Sequence, residues 1–326
     1  MQKENTIIVG GGPCGMSCAI ELQNLGIKPL IIEKENIVNT VYNFPTHQTF
    51  FSSSDKLEIG DVPFITEKQK PVRNQALAYY RAVAVRKELR IHTFEQVFSI
   101  SSEEGKFQVE TEKEDGEVAE YEAKNVIIAT GYYDQPNMMG IPGEGLSKVM
   151  HYFKEAHPYF NTNVAVIGGK NSAVDATLEL YKAGARVTVL YRGDSYSKSI
   201  KPWILPEFDS LVRKEKVKME FNASVNEITH DNLTYTVNGE VKQIDNDFVF
   251  AMTGYRPDYN FLKSAGVSVD EVNGRPDYNR ETYETNIPGI YVAGVVAAGN
   301  NNNAIFIENG RHHGKIIAEH IKNKKR

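Results

Sequence analysis

The chain has 326 residues, of which 41% are hydrophobic and 24% charged, the make-up of a globular protein long enough for two domains. A formal net charge of −5, with no basic stripe outside the tail Lys322–Arg326, gives no reason to expect nucleic-acid binding. No apolar run reaches the ~18 residues of a membrane span, and MQKENTIIVGGG lacks the layout of a signal peptide, so a cytoplasmic protein is expected.

The tail itself reads as a solvated, frayed end. Two cysteines, Cys14 and Cys18, rule out a disulfide framework.

In chain order, residues 5–34 (NTIIVGGGPCGMSCAIELQNLGIKPLIIEK) form the first unit: an apolar run, a glycine turn, a helical stretch closed by glycine, and a second apolar run. Val126–Gly131 (VIIATG) is a buried strand ending in a glycine turn. Residues 163–192 (NVAVIGGKNSAVDATLELYKAGARVTVLYR) repeat the first unit, Gly10 meeting Gly168, Gly15 meeting Ala173 and Gly26 meeting Gly184. Phe248–Gly254 (FVFAMTG) and Gly289–Gly294 (GIYVAG) are further strand-and-glycine units, and a long helical stretch is expected from Ile305.

Two βαβ openings with continuous apolar strands predict an α/β protein of two Rossmann-like, doubly wound dinucleotide-binding domains. The second is inserted in the first: residues 1–145 with 260–326, and 146–259. One GxGxxG alone is weak evidence, but two copies, each between a strand and a helix, are strong.

In Gly10-Gly11-Gly12-Pro13-Cys14-Gly15, Gly10 permits the tight turn, Gly12 lets the backbone approach a pyrophosphate, and Gly15 lets helix and strand pack closely. The phosphates are expected at the positive end of the helix. Glu33, 23 positions after Gly10, can accept hydrogen bonds from a ribose diol.

These motifs resemble the two-dinucleotide-binding flavoproteins and, in size and order, the low-molecular-weight thioredoxin reductases. The resemblance covers essentially the whole length. It implies FAD in the first domain, near Ala129-Thr130-Gly131 and along Tyr42-Asn43-Phe44-Pro45. The FAD contacts it implies are Gly10, Gly12, Pro13, Gly15, Glu33, Lys34, Asn43, His47, Gly131, Gly294 and Ala304. The aspartate that follows the glycine of the GIYVAG unit in those proteins, where it holds the ribityl chain, is Val295 here. Asn300–Asn303 are the expected replacement.

The second opening, Gly168-Gly169-Lys170-Asn171-Ser172-Ala173, puts a lysine in place of the middle glycine. Its ammonium can hold a pyrophosphate that also meets the helix N–H groups; a solvent-facing lysine on a degenerate site is the simpler alternative. Where the first unit has Glu33, the second has Tyr191, followed by Arg192. No carboxylate repels a ribose 2′-phosphate there, and a guanidinium can bind it through two bonds, with Lys198 and Lys201 nearby. That pattern points to NADPH over NADH, with Gly168, Gly169, Lys170, Asn171, Ser172, Arg192 and Lys198 as its expected contacts.

Thioredoxin reductases of this size carry a CxxC pair, and this chain has none, which excludes that activity. A closer resemblance lies in GGGPCG, YNFPTHQTFFSSSDKLEIGD, HYFKEAHPYF, SIKPWILPEF and NNNAIFIENGRHHG, which are similar to the YpdA family. That family implies an NADPH-dependent bacillithiol disulfide reductase with Cys14 as the redox residue, acting on a small-molecule thiol disulfide. It also implies homo-oligomerisation.

A thiol at a helix N-terminus has a lowered pKa, and a thiolate is the nucleophile of disulfide exchange. Against this, a pyrophosphate at the same helix end opposes the thiolate, and a small residue fitting the turn is an equally good account of Cys14. Cys18, one helical turn on, is expected in the core, and a Cys14–Cys18 bridge within one helix would be strained.

A ferredoxin- or flavodoxin-type NADP reductase, a flavin monooxygenase and a slow redox-sensing flavoprotein remain open, as does a redox-protein partner. His47, His312 and His313 are expected near the flavin or in structural roles, and Trp203 as an anchor of the loop after Arg192. Cysteines and histidines show no metal-ligand spacing.

Overall fold

The computed structural model describes residues 1–103, 105–301 and 303–324. They form two compact units. The first comprises residues 1–43, 47–135 and 255–326, and the second 44–46 and 136–254, so the joints lie earlier than residues 145 and 260.

The first unit opens with β1 (Gln2–Val9), α1 (Pro13–Asn24) and β2 (Leu30–Glu33). β1 runs parallel to β2, with Ile7 opposite Leu30, and Ile7, Ile8 and Val9 are buried because both faces of the sheet are covered. α1 begins on Pro13, whose fixed φ suits a first helical position. It ends where Gly26, at φ +76, lets its own N–H reach Gln23 O and the Ile27 N–H reach Leu22 O.

The short helices α2 (Asn39–Asn43) and α3 (Ser54–Leu57) lead to α4 (Arg73–Arg86). Then follow β3 (Ile91–Thr93), β4 (Glu95–Glu103), β5 (Lys106–Lys113) and β6 (Val118–Ile128). The strand expected at Val126–Gly131 is thus the end of a longer one, which stops at Ile128.

The second unit holds β7 (Val149–Met150), β8 (Asn163–Ile167), α5 (Asn171–Lys182), β9 (Arg186–Leu190), α6 (Leu205–Arg213) and β10 (Lys218–Glu220). A three-stranded antiparallel sheet of β11 (Ala223–Ile228), β12 (Asn232–Val237) and β13 (Glu240–Asp245) is followed by β14 (Phe248–Ala251). The parallel sheet has the order β10-β9-β8-β14-β7. α5 ends as α1 does: Gly184, at φ +87, gives its N–H to Tyr181 O, and Ala185 gives its N–H to Leu180 O. One cap chemistry thus underlies the pairing of Gly26 with Gly184.

The chain returns to the first unit with α7 (Tyr259–Ser264), β15 (Ile290–Val292), α8 (Ile307–Gly310) and α9 (His313–Lys324). β15 joins β6, completing a seven-stranded sheet whose main path is β3-β2-β1-β6-β5-β4. The long helix expected from Ile305 is broken in two. The Arg311 carbonyl accepts from Ser17 Oγ at 2.6 Å, while its guanidinium donates to Asp55 O at 2.9 Å and Glu58 O at 2.6 Å. These bonds draw the chain out of helical register.

α1 is buried on two sides, by the sheet and by α9. A Cβ at Gly314 would lie 2.8 Å from the Cys18 Cα, so only glycine allows this approach. Cys18 has no exposure, and the core placement expected for it holds.

Candidate functional site

The parallel strands of the first unit end together at Gly10–Gly12, Glu33 and Gly131. Gly10 stands at φ +111, and a Cβ there would lie 2.6 Å from Ala129 O. Its N–H donates to Ile32 O at 2.9 Å, which fixes the turn to β2. Gly12, by contrast, has extended backbone, and no atom lies within 4 Å of where its Cβ would be. No side chain caps α1, so its first N–H groups face that space. An open cradle at an uncapped helix start fits a pyrophosphate.

Glu33 is buried. Its Oε2 accepts from the Gly11 N–H at 2.6 Å and its Oε1 from the Glu35 N–H at 3.1 Å. Burial raises its pKa, against the two N–H groups that favour the carboxylate. Gly11, which the motif leaves unspecified, packs on Glu33: a Cβ there would lie 3.1 Å from the Glu33 Cβ.

Other residues of the first unit are placed as follows. Lys34 pairs with Asp134 at 3.0 Å, the Asn43 carbonyl accepts from Tyr133 OH at 3.5 Å, and His47 is exposed. The Ala304 carbonyl accepts from Asn309 Nδ2 at 2.9 Å. Asn300 does not take over from a ribityl-binding aspartate, because its side chain is held by Tyr259 OH and the Val272 carbonyl. Asn302 lies outside the described residues, and Asn301 and Asn303 are exposed.

Cys14 corrects one expectation. Although the residue is partly exposed, its sulfur turns away from the cradle. It would lie 3.0 Å from a Cβ at Gly294 and 2.9 Å from one at Gly310. Two glycines distant in sequence form a slot for this thiol. Burial there pushes its pKa up to about 12, so the lowering expected of a helix N-terminus is reversed.

His313 stands behind that slot, 5% exposed, with Nδ1 accepting from the Gly294 N–H at 3.1 Å and its ring stacked on Tyr283 at 4.1 Å. It is a structural histidine, whereas His312 is exposed. Burial lowers the His313 pKa to about 4. The unfolded imidazole takes a proton near pH 6.5 and the folded one refuses it until about pH 4, so acid favours unfolding. Stability of roughly 3 kcal/mol, present above pH 6.5, is expected to be lost as the pH falls toward 4. Thermal melts from pH 4.5 to 7.5 check this, and His313→Gln should flatten the slope; an equal slope in both proteins refutes it.

In the second unit Gly168, at φ +140, donates its N–H to Leu190 O at 3.0 Å, just as Gly10 does to Ile32 O. Lys170 is the exposed N-cap residue of α5, whose start no side chain caps, and Ser172 beside it is exposed. Asn171 is engaged elsewhere: its Nδ2 donates to Ser199 O at 2.8 Å and its Oδ1 accepts from the Lys201 N–H at 2.9 Å. It ties the helix start to the loop carrying Lys198, so its side chain shapes the site rather than facing a phosphate.

The Tyr191 ring lies flat against Gly169 and Gly193, where a Cβ at either position would strike it. The ring fills the place of the ribose-binding carboxylate, a role that spacing alone did not reveal for Gly169 and Gly193. Arg192 and Lys198 are exposed beside it. Lys201 Nζ lies 5.9 Å over the ring of Trp203, and that ring is 57% exposed. Ile200 in this loop and Phe208 in α6 are buried.

Among the described residues no group of three or more His, Cys, Asp or Glu side chains is placed to hold a metal, and no helix is long and apolar enough to cross a membrane.

Two glycine cradles, each at the carboxyl ends of parallel strands, define a two-dinucleotide-binding oxidoreductase fold. Residues 7–294 match the model of the pyridine nucleotide-disulphide oxidoreductases. The bacilliredoxin reductase Bdr of Bacillus subtilis (strain 168) is 59% identical over 323 residues, 98% of each chain. The structure of bacillithiol disulfide reductase Bdr (YpdA) from Bacillus cereus is 63% identical, with a TM-score of 0.98 over 99% of this chain and 100% of that one. The Staphylococcus aureus structure of the same name is 59% identical, with a TM-score of 0.95 over 100% of both chains. The chain belongs to the pyridine nucleotide-disulphide oxidoreductase family, and within it to the Bdr (YpdA) reductases.

Proposed function

We propose that this enzyme draws electrons from NADPH through FAD and reduces bacillithiol disulfide to bacillithiol. The observation that carries the reading is the pairing of two unlike cradles. One, with buried Glu33 and open Gly12, suits FAD; the other, with Tyr191 in the carboxylate's place and Arg192 exposed, suits NADPH. Identity of 59–63% to proteins named for bacillithiol disulfide or bacilliredoxin reduction supports the substrate. It also ranks a disulfide above the ferredoxin, flavodoxin and monooxygenase alternatives.

FAD supplies a two-electron carrier between nicotinamide and disulfide. The residues assigned to hold it are Gly10, Gly12, Pro13, Gly15, Glu33, Lys34, Asn43, His47, Gly131, Gly294 and Ala304. Those for NADPH are Gly168, Gly169, Lys170, Ser172, Arg192 and Lys198, with Asn171 fixing their loop. Cys14 is assigned the exchange. Its thiol, protonated at rest, must be freed from the Gly294–Gly310 slot and lose its proton. The sulfur then attacks one sulfur of the substrate, forming a mixed disulfide and releasing one bacillithiol. The flavin held by the first cradle would supply the two electrons that, with a proton, split the mixed disulfide and return the Cys14 thiolate and the second bacillithiol. The sum consumes one NADPH and one proton per disulfide.

An oxidised redox protein as acceptor is a second reading, favoured by the bacilliredoxin in the name of the B. subtilis relative.

The test is anaerobic bleaching of the flavin by NADPH, followed by bacillithiol disulfide, in wild type and Cys14→Ala. Reoxidation in wild type alone, at equal FAD content, is the expected result. Equal reoxidation in both removes Cys14 from the chemistry. Reoxidation by bacilliredoxin but not by the small disulfide selects the second reading.

A further inference from the structure

Arg73, at the start of α4, is 7% exposed and is not part of either glycine cradle. Its Nε donates to the Tyr42 carbonyl at 3.1 Å, its Nη2 donates to the same oxygen, and its Nη1 donates to Asn74 Oδ1 at 2.8 Å. The guanidinium carbon lies 5.2 Å from the Tyr42 ring centroid. Every one of these partners is neutral, and no ion pair with a carboxylate is found for Arg73 among the described residues. A buried cation is ordinarily paired, because burying a lone charge is costly.

The start of α4 is also tied by its backbone to the chain after His47. The Arg73 N–H donates to Gln48 O at 2.9 Å, and the Phe50 N–H donates to Pro71 O at 2.9 Å. Gln75 completes the turn by accepting from the Val72 N–H at 3.0 Å. Arg73 is therefore rigidly placed, with its head against the end of α2. Holding one carbonyl oxygen would need only a neutral donor, so tethering explains the hydrogen bonds but not the charge.

We propose that Arg73 is a positioning residue that keeps an unneutralised positive charge behind Tyr42–Asn43, and that this charge raises the reduction potential of the flavin bound along that segment. The proposal rests on the reading of the first cradle as the FAD site. Taking up electrons adds negative charge to the flavin, and a fixed cation in a poorly solvated place favours the reduced form. The guanidinium suits this role better than an ammonium, since it stays charged when buried and its planar fork fixes the carbonyl as well.

The experiment measures FAD retention and the flavin reduction potential of wild type, Arg73→Met, Arg73→Gln and Arg73→Lys by anaerobic titration against a reference dye. Wild type must first retain FAD; if it does not, the functional reading fails, whatever Arg73 does. With FAD bound, the neutral variants are expected to shift the two-electron equilibrium toward oxidised flavin by tenfold or more, a potential lower by about 30 mV. Arg73→Lys should keep most of the potential while FAD dissociates several-fold faster, since one ammonium cannot reproduce the fork.

A potential unchanged in Arg73→Met and Arg73→Gln overturns the proposal and leaves Arg73 a tether of α2. Should neither neutral variant retain FAD, retention by Arg73→Lys alone supports the charge. Loss in all three assigns Arg73 to folding and overturns the proposal.

Discussion

Gly12→Val is expected to leave the fold intact and to weaken FAD binding. Two glycines of one turn differ in what they leave room for. At Gly10 both φ, at +111, and the Ala129 carbonyl forbid a side chain, so substitution there damages the fold itself. At Gly12 the backbone is extended and nothing lies within 4 Å, so a valine finds room in the protein alone. That room is the cradle in which a pyrophosphate would meet the start of α1. Filling it costs about 1–3 kcal/mol of crowding, or a loss of affinity of roughly fivefold to 150-fold. The measurement is FAD content and dissociation constant alongside the melting temperature of the apoprotein. A Gly12→Val protein that retains FAD at wild-type affinity would falsify the placement of the pyrophosphate.

The second large effect is expected at Arg192. Arg192→Ala should raise KM for NADPH by roughly 10-fold to 150-fold, the worth of about 1.5–3 kcal/mol for hydrogen bonds to a charged group. kcat at saturation should stay within about twofold, because the contact lies far along the cofactor from the hydride and acts equally on ground and transition states. KM for NADH should hardly move. Tyr191 sharpens this prediction: its ring occupies the place of the diol-binding carboxylate and cannot substitute for it, so NADH gains nothing from the loss of Arg192. Steady-state kinetics with both nucleotides decide the matter, and an equal loss for NADPH and NADH would remove Arg192 from 2′-phosphate recognition.

The doubly wound fold was legible because its demands are local. A strand covered on both faces needs a continuous apolar run, and a helix closed by a left-handed turn needs a glycine, as at Gly26 and Gly184. Two copies of that grammar make the architecture hard to miss. Glu33 and Arg192 could be singled out for the same reason, since one ends its strand and the other lies just past its strand, each at a fixed offset from the glycines.

What was not legible depends on residues distant in the chain. No spacing rule predicts that the Cys14 sulfur meets Gly294 and Gly310, so the helix N-terminus suggested a lowered pKa where burial in fact raises it. The break between α8 and α9 has the same origin, since Ser17, Asp55 and Glu58 hold Arg311 from elsewhere in the chain. Asn171 is an expected NADPH contact because of its place in the motif. The loop around Ser199 claims it first. Arg73 carried no signal at all, because an arginine opening a helix is unremarkable until its partners are seen.

The slot around Cys14 bears on survival under chemical stress. Electrophiles and peroxides attack thiolates, and a sulfur kept protonated between two glycines offers them almost none. Cys18, the chain's other thiol, is sealed in the core. A reductase built in this way has no standing nucleophile for an oxidant to consume.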